Sequence, residues 1–127
     1  KVEEMYDKQI GSLSGGMKQR VNSAAAFLFG GEIIILDEPT AGLDPVSVEI
    51  LKEKILHEKR LGKLIIISSH ILSDLDELTT DVVYIFEGKV QYNNTIEALK
   101  EETHETRLGK AIAMLIRQKE LLASVTE

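Results

Sequence analysis

The chain has 127 residues, with 15 Lys and Arg against 21 Asp and Glu for a formal net charge of −6, a length that fits one domain or part of one. Its 43% hydrophobic and 28% charged residues exclude a disordered chain and call for a real core. The lack of cysteine excludes a disulfide framework and a thiolate zinc site, and the longest apolar runs, Ala24 to Phe29 and Ala111 to Ile116, are too short to cross a bilayer. The acidic balance argues against a broad nucleic-acid-binding face. Nothing near Lys1 reads as a signal peptide, so a cytoplasmic setting is expected. The first residue is Lys rather than Met, and the chain is therefore expected to be a piece of something longer.

In chain order, Ser12-Leu13-Ser14-Gly15-Gly16-Met17-Lys18-Gln19-Arg20 runs into an Ala-rich helix that is expected to stop at Gly30-Gly31. Small residues at a helix start leave the first N–H groups uncovered, and the macrodipole draws an anion there. Ser14 can equally be an ordinary N-cap, and the segment alone leaves the two readings even. Gly11 and Gly16 have the separation of a phosphate loop, but Met17-Lys18 stands where that loop needs Lys followed by Ser or Thr, so it is rejected as one.

Ile33 to Leu36 and Leu64 to Ile67 are wholly apolar and rich in β-branched residues, as expected of central strands covered on both faces. The first ends in Asp37-Glu38. Two carboxylates at the carboxyl edge of a parallel sheet lie where open α/β folds bind ligands. On an extended chain they point to different sides, so one could hold Mg²⁺ through its water shell while the other orients or deprotonates a water. The bland alternative is a strand leaving into solvent with Pro39 blocking its continuation. The turn Thr40-Ala41-Gly42-Leu43-Asp44-Pro45 then places Asp44 as a cap and Pro45 as a first helical residue.

Val48, Leu51, Ile55 and Leu56 recur at helical spacing between Val46 and Leu61, and Gly62 is the stop. Ser68 or Ser69 is expected to cap a short helix from Ile71 to about Leu78. Val82 to Phe86 and Lys89 to Tyr92 flank Glu87-Gly88, a hairpin with which the sheet is expected to end antiparallel. Asn93-Asn94-Thr95 fits a glycosylation sequon but is read as a turn. Beyond it Ile112, Leu115, Ile116, Lys119 and Leu122 suggest one amphipathic helix. Strand-length runs alternating with helical ones define an α/β class with a mainly parallel sheet and flanking helices.

Leu13-Ser14-Gly15-Gly16-Met17-Lys18-Gln19-Arg20, Ile33 to Thr40, Ala41-Gly42-Leu43-Asp44 and Ser68-Ser69-His70 together resemble the nucleotide-binding subunits of ATP-binding cassette (ABC) transporters, over most of the chain and in order. The resemblance implies the C-terminal half of a P-loop NTPase-like cassette, with residues 1–94 as that half and 95–127 as a helical tail. It implies that Ser14, Gly15 and Gly16 form a signature motif that reaches the γ-phosphate of ATP held by a second cassette. Met17 stands where the family most often has Gln, which puts a side-chain contact in doubt but not the backbone donors. Asp37 matches the acid that holds Mg²⁺, Glu38 the general base, Asp44 the acid at the dimer seam and His70 the switch histidine. A lone His after a strand is usually a cap or a surface residue, and His70 is singled out by its company. His57 and His104 have none and are read as solvated.

The same resemblance implies membrane permease subunits as partners and a place on the inner face of the cell membrane through them. The family's phosphate loop lies upstream of the signature, and only twelve residues precede Leu13. Phosphoryl transfer depends on positioning and charge stabilisation, and a loss of about 4 kcal/mol already turns a micromolar site into a millimolar one. The chain by itself is thus expected neither to bind ATP tightly nor to hydrolyse it, and its uncovered strands are expected to drive self-association. Two other readings compete: the C-terminal head segment of a chromosome-maintenance or DNA-repair ATPase, and a non-catalytic interaction module that keeps the fold.

Overall fold

A computed structural model describes the backbone of residues 5–125 and the side chains as far as residue 118. The chain divides between His70 and Ile71 into two compact units, each with its own two-stranded sheet.

The first unit contains helix α1 (Gly15–Ala26), strand β1 (Ile33–Asp37), helix α2 (Pro45–Arg60) and strand β2 (Leu64–Ser68). Helix α1 stops earlier than the apolar run suggests, with Phe27 as its C-cap and Gly30 in the left-handed region at φ 64°. Helix α2 starts as expected, with Pro45 in its first turn and the Asp44 carboxylate accepting from the Ser47 N–H. Gly62, at φ 81°, follows its end. Strands β1 and β2 pair in parallel from Ile33 opposite Leu64 to Asp37 opposite Ser68. α1 lies against β1 and α2 against β2.

The alternation within these strands overturns the expectation of coverage on both faces. Ile34 and Leu36 are buried, whereas Ile33, Ile35, Leu64 and Ile66 are 60%, 69%, 56% and 50% exposed. Register puts those four on one face, because successive side chains alternate across a sheet and the pairing joins odd-numbered positions of β1 to even-numbered ones of β2. An all-apolar strand sequence specifies that both faces can be buried; it does not supply the layer that buries them.

Near the end of α2, Glu58 is buried between the ammonium groups of Lys54 and Lys63, each at 2.5 Å. Hydrogen bonds from Lys54 and Lys63 lower its pKa to about 2. Charges removed from water persist only when paired in this way.

The second unit holds strands β3 (Asp81–Phe86) and β4 (Lys89–Thr95) and helices α3 (Ile96–Thr103) and α4 (Leu108–Val125). Glu87 and Gly88 both have positive φ, as a two-residue hairpin turn matching the strand twist requires. The hairpin is antiparallel as expected, but it forms a sheet of its own instead of finishing the parallel one. Asn93, Asn94 and Thr95 are strand rather than turn, because β4 stays paired until Thr95 meets Asp81.

Two helices follow β4, and the amphipathic helix expected through Ile112 and Leu122 is α4. Thr95 caps α3 by accepting from the Ala98 N–H at 3.1 Å, and His104 ends it in the left-handed region. Ile112 and Leu115 are buried as the amphipathic pattern requires, while the side chains of Lys119 and Leu122 lie outside those described. The short helix expected from Ile71 to Leu78 is reduced to a 3-10 turn at Leu72–Asp74 without a side-chain cap. Both the Asp76 carboxylate oxygens accept from the Leu108 N–H, at 3.0 and 3.1 Å, which fixes the start of α4. Burial pushes the Asp76 carboxyl up, but hydrogen bonds from Lys100 and Leu108 outweigh it and the net shift is downward.

Candidate functional site

The site lies at the carboxyl edge of β1 and β2. Asp37 closes β1 opposite Ser68, and the Ser68 hydroxyl donates to the Asp37 carboxylate. This explains why Ser68 caps no helix: it is a strand residue whose hydroxyl is already engaged. The ladder runs one bond further, from the Glu38 N–H to the Ser68 carbonyl at 2.9 Å.

Glu38 then departs from extended geometry, at φ 46°. A non-glycine residue there is strained by on the order of 1 kcal/mol or more and needs its surroundings to hold it. Besides the ladder bond and the turn bond from the Ala41 N–H to the Glu38 carbonyl at 3.2 Å, three contacts do so. The His70 backbone N–H donates to its carboxylate at 3.1 and 3.4 Å. The His70 ring Nδ1 sits 2.8 Å from Oε2, which directs the other ring nitrogen away from the pair. The Gln19 side-chain amide donates to the Glu38 carbonyl at 2.9 Å. The pair remains accessible, with the Glu38 side chain 37% exposed and that of His70 74% exposed.

Ser14 caps α1, its hydroxyl accepting from the Met17 N–H at 3.3 Å. It is exposed, as is Gly15. Gly16 has a sharper requirement, since a Cβ placed there would stand 2.7 Å from the Gly42 carbonyl oxygen. The start of α1 is thus laid directly on the loop after Glu38. Arg20, one turn on, completes the junction through an ion pair with Asp44. Asp44 also accepts from the Ser47 N–H at 3.1 Å and the Ser47 hydroxyl at 2.6 Å. The Ser47 bonds, with Arg20 beside them, hold its carboxyl far below the usual range.

The structure therefore gathers Asp37, Glu38 and His70 at one strand edge and docks Ser14, Gly15, Gly16 and Met17 beside the loop that carries Asp44. Sequence reasoning missed Gln19, Arg20 and Ser68. The signal for the first two was present, since Gly16, Gln19, Arg20 and Ser23 fall on one helical face. His57 and His104 are exposed.

Among the described residues no group of three or more His, Cys, Asp and Glu side chains is arranged so that it could hold a metal ion by itself. Asp37, with one oxygen engaged by Ser68, offers one further oxygen. That would suit a carboxylate that meets the water shell of a Mg²⁺ ion. Among the described residues no helix is long and apolar enough to cross a membrane.

Two parallel strands, with Asp37 and Glu38 at the carboxyl edge and a glycine-started helix laid against the following loop, define an α/β architecture with its candidate site at that edge. The sequence profile of the ABC transporter family matches residues 1–41. The ABC transporter ATP-binding protein NatA of Bacillus subtilis (strain 168) is 38% identical over 108 residues, which is 85% of this chain and 44% of that protein. The bacitracin transport ATP-binding protein BcrA of Bacillus licheniformis is 40% identical over 100 residues, 77% of this chain and 32% of that protein. Among solved structures, an ATP-binding subunit of an ABC transporter superposes with a TM-score of 0.77 at 29% identity, covering 84% of this chain and 45% of that one. The chain matches the ATP-binding subunits of the ABC transporter family as a partial chain, and it spans less than half the length of these relatives. Transporter subunits fill these matches, and the chromosome-maintenance alternative is not favoured.

Proposed function

We propose that this chain supplies the water-activating and trans-contacting half of an ATP-hydrolysing cassette that drives a membrane transporter. The observation that carries this reading is the Glu38 carboxylate held by His70 Nδ1 at 2.8 Å at the carboxyl edge of a parallel strand pair. Glu38 is the general base: its carboxylate, fixed by the His70 N–H and ring, receives the proton of the attacking water. His70 orients that carboxylate and keeps its second ring nitrogen for the phosphate side of the site. Asp37 would hold Mg²⁺ through its water shell, and the ion would supply charge neutralisation at the phosphates.

The exposed start of α1 serves a second cassette. Ser14, the Gly15 and Gly16 backbone and the Met17 position present a small, donor-rich helix end, the form that receives a phosphate. Asp44, held by Ser47 and Arg20, lies at the seam between the two cassettes. Permease subunits are the remaining partners, and through them the cassette sits on the inner face of the membrane. The phosphate-gripping loop comes from a segment other than the one described, so the 127-residue chain alone binds Mg-ATP weaker than micromolar; a calorimetric titration showing micromolar affinity would contradict this.

The deciding experiment uses the complete cassette. Glu38→Gln keeps the size of the side chain and removes the base, so it should stop turnover while an ATP-bound dimer accumulates in size-exclusion chromatography. Turnover at the parent rate would refute the assignment of Glu38.

A further inference from the structure

We infer that Gln19 is a positioning residue through which helix α1 sets the orientation of Glu38 in its own cassette. The inference rests on the reading of Glu38 as the general base and goes beyond it.

Glu38 occupies a left-handed backbone conformation that only its surroundings can maintain. Its N–H is fixed by the Ser68 carbonyl and its carboxylate by His70. Its carbonyl, which decides how the following peptide is turned, accepts from the Ala41 N–H at 3.2 Å and from Gln19 Nε2 at 2.9 Å. Only the NH₂ end of a Gln amide can donate to a carbonyl, so the side-chain orientation is defined by its partner. Gln19 is partly buried there.

The bond has leverage because of what lies on either side of Gln19. One turn before it, Gly16 meets the Gly42 carbonyl at a distance that tolerates no Cβ. Directly after it, Arg20 pairs with Asp44. The helix thus touches the 38–44 loop at its first residue, its middle and its end, and Gln19 is the contact at the residue that bears the base. A displacement of α1, whose exposed end is the part offered to the second cassette, reaches the Glu38 peptide through this amide. Misplacing a catalytic group by about 1 Å can cost on the order of a hundredfold in rate, so a positioning bond of this kind acts on kcat and not on nucleotide affinity.

The test uses complete cassettes. Gln19→Met keeps length and helix propensity without the donor, and should lower kcat about tenfold while KM for ATP and the ATP concentration that drives dimerisation stay within about twofold. Gln19→Lys restores a donor and should recover most of the lost kcat. Mixed dimers separate positioning from general damage to α1. One cassette carries Glu38→Gln, so only its partner turns over; Gln19→Met in the cassette with intact Glu38 should reproduce the loss, and Gln19→Met in the other should not. An unchanged kcat in Gln19→Met, no recovery in Gln19→Lys, or a loss that is equal in both mixed dimers would overturn the inference. Glu38→Gln run in parallel distinguishes the two levels. If it abolishes turnover and Gln19→Met does nothing, the coupling alone fails; if it leaves turnover intact, the general-base reading fails first.

Discussion

Gly16 and Gly15 are adjacent, and the geometry assigns them opposite responses to the same substitution. A Cβ at Gly16 would lie 2.7 Å from the Gly42 carbonyl oxygen, whereas one at Gly15 would meet nothing within 4 Å. The obstacle is backbone, in a loop whose Gly42 has φ 72° and whose Asp44 caps α2, so relief requires moving α1 or that loop by several tenths of an ångström. Overpacking of this kind costs about 1–3 kcal/mol. Alanine recovers up to about 1 kcal/mol over glycine in a helix, and less in the first turn. Gly16→Ala should therefore be destabilising by about 1–2 kcal/mol, and Gly15→Ala neutral or slightly stabilising. In a unit of this size each kcal/mol lowers the melting temperature by roughly 4–8 °C. The chain has no Trp, so urea unfolding followed by far-ultraviolet circular dichroism is the suitable assay. Equal midpoint shifts for the two variants, or a gain for Gly16→Ala, would refute the close approach of α1 to the loop.

Glu58 carries a pH dependence: its folded pKa of about 2 lies below the ordinary carboxyl value of 4.5, so its stabilisation is complete above about pH 5 and is lost as pH falls toward 2. Glu58→Gln should flatten the urea midpoint across that window, and a parental slope in the variant would reject the Lys54 and Lys63 pairing. Thr95→Ala removes the α3 cap and should cost about 1 kcal/mol, with faster amide exchange at Ala98 as its local mark; unchanged exchange there would argue against the cap. The bare β1–β2 face predicts association of the 127-residue chain with a second copy of itself. Ile35→Lys, at a position 69% exposed, should lower the scattering mass toward one chain without lowering the melting temperature, and a parent that is monomeric at every concentration would count against it.

What the sequence made legible was local chemistry. Asp44 and Pro45 announce the start of α2 because capping and ring geometry operate within three residues, and Glu87-Gly88 announces the hairpin because both positions need positive φ. Asp37, Glu38 and His70 could be singled out as residue types at a strand edge and by their resemblance to a family. The contact between Glu38 and His70 was not readable, since it joins residues 32 apart through the parallel register of β1 and β2. The positive φ of Glu38 was equally hidden, because glutamate gives no sign of a left-handed conformation that its neighbours impose. Ser68 was misassigned for the same reason: a hydroxyl after an apolar strand looks like a cap until its paired strand presents a carboxylate.

That hidden geometry changes how the two acids should be regarded. Extended backbone would send Asp37 and Glu38 to opposite sides of the sheet, and alternation alone would be the source of their separate roles. Instead Asp37 ends the strand and is held by the neighbouring strand through Ser68. Glu38 leaves it with a turned backbone and is held by His70 and Gln19. On the proposed roles, the acid that would meet the metal belongs to the sheet, whereas the acid that would take the water's proton belongs to a loop gripped by a helix. Under the proposed function, such a site would keep its ion-facing edge fixed while Glu38 answers to α1, and hydrolysis would depend on a second cassette without nucleotide affinity having to change.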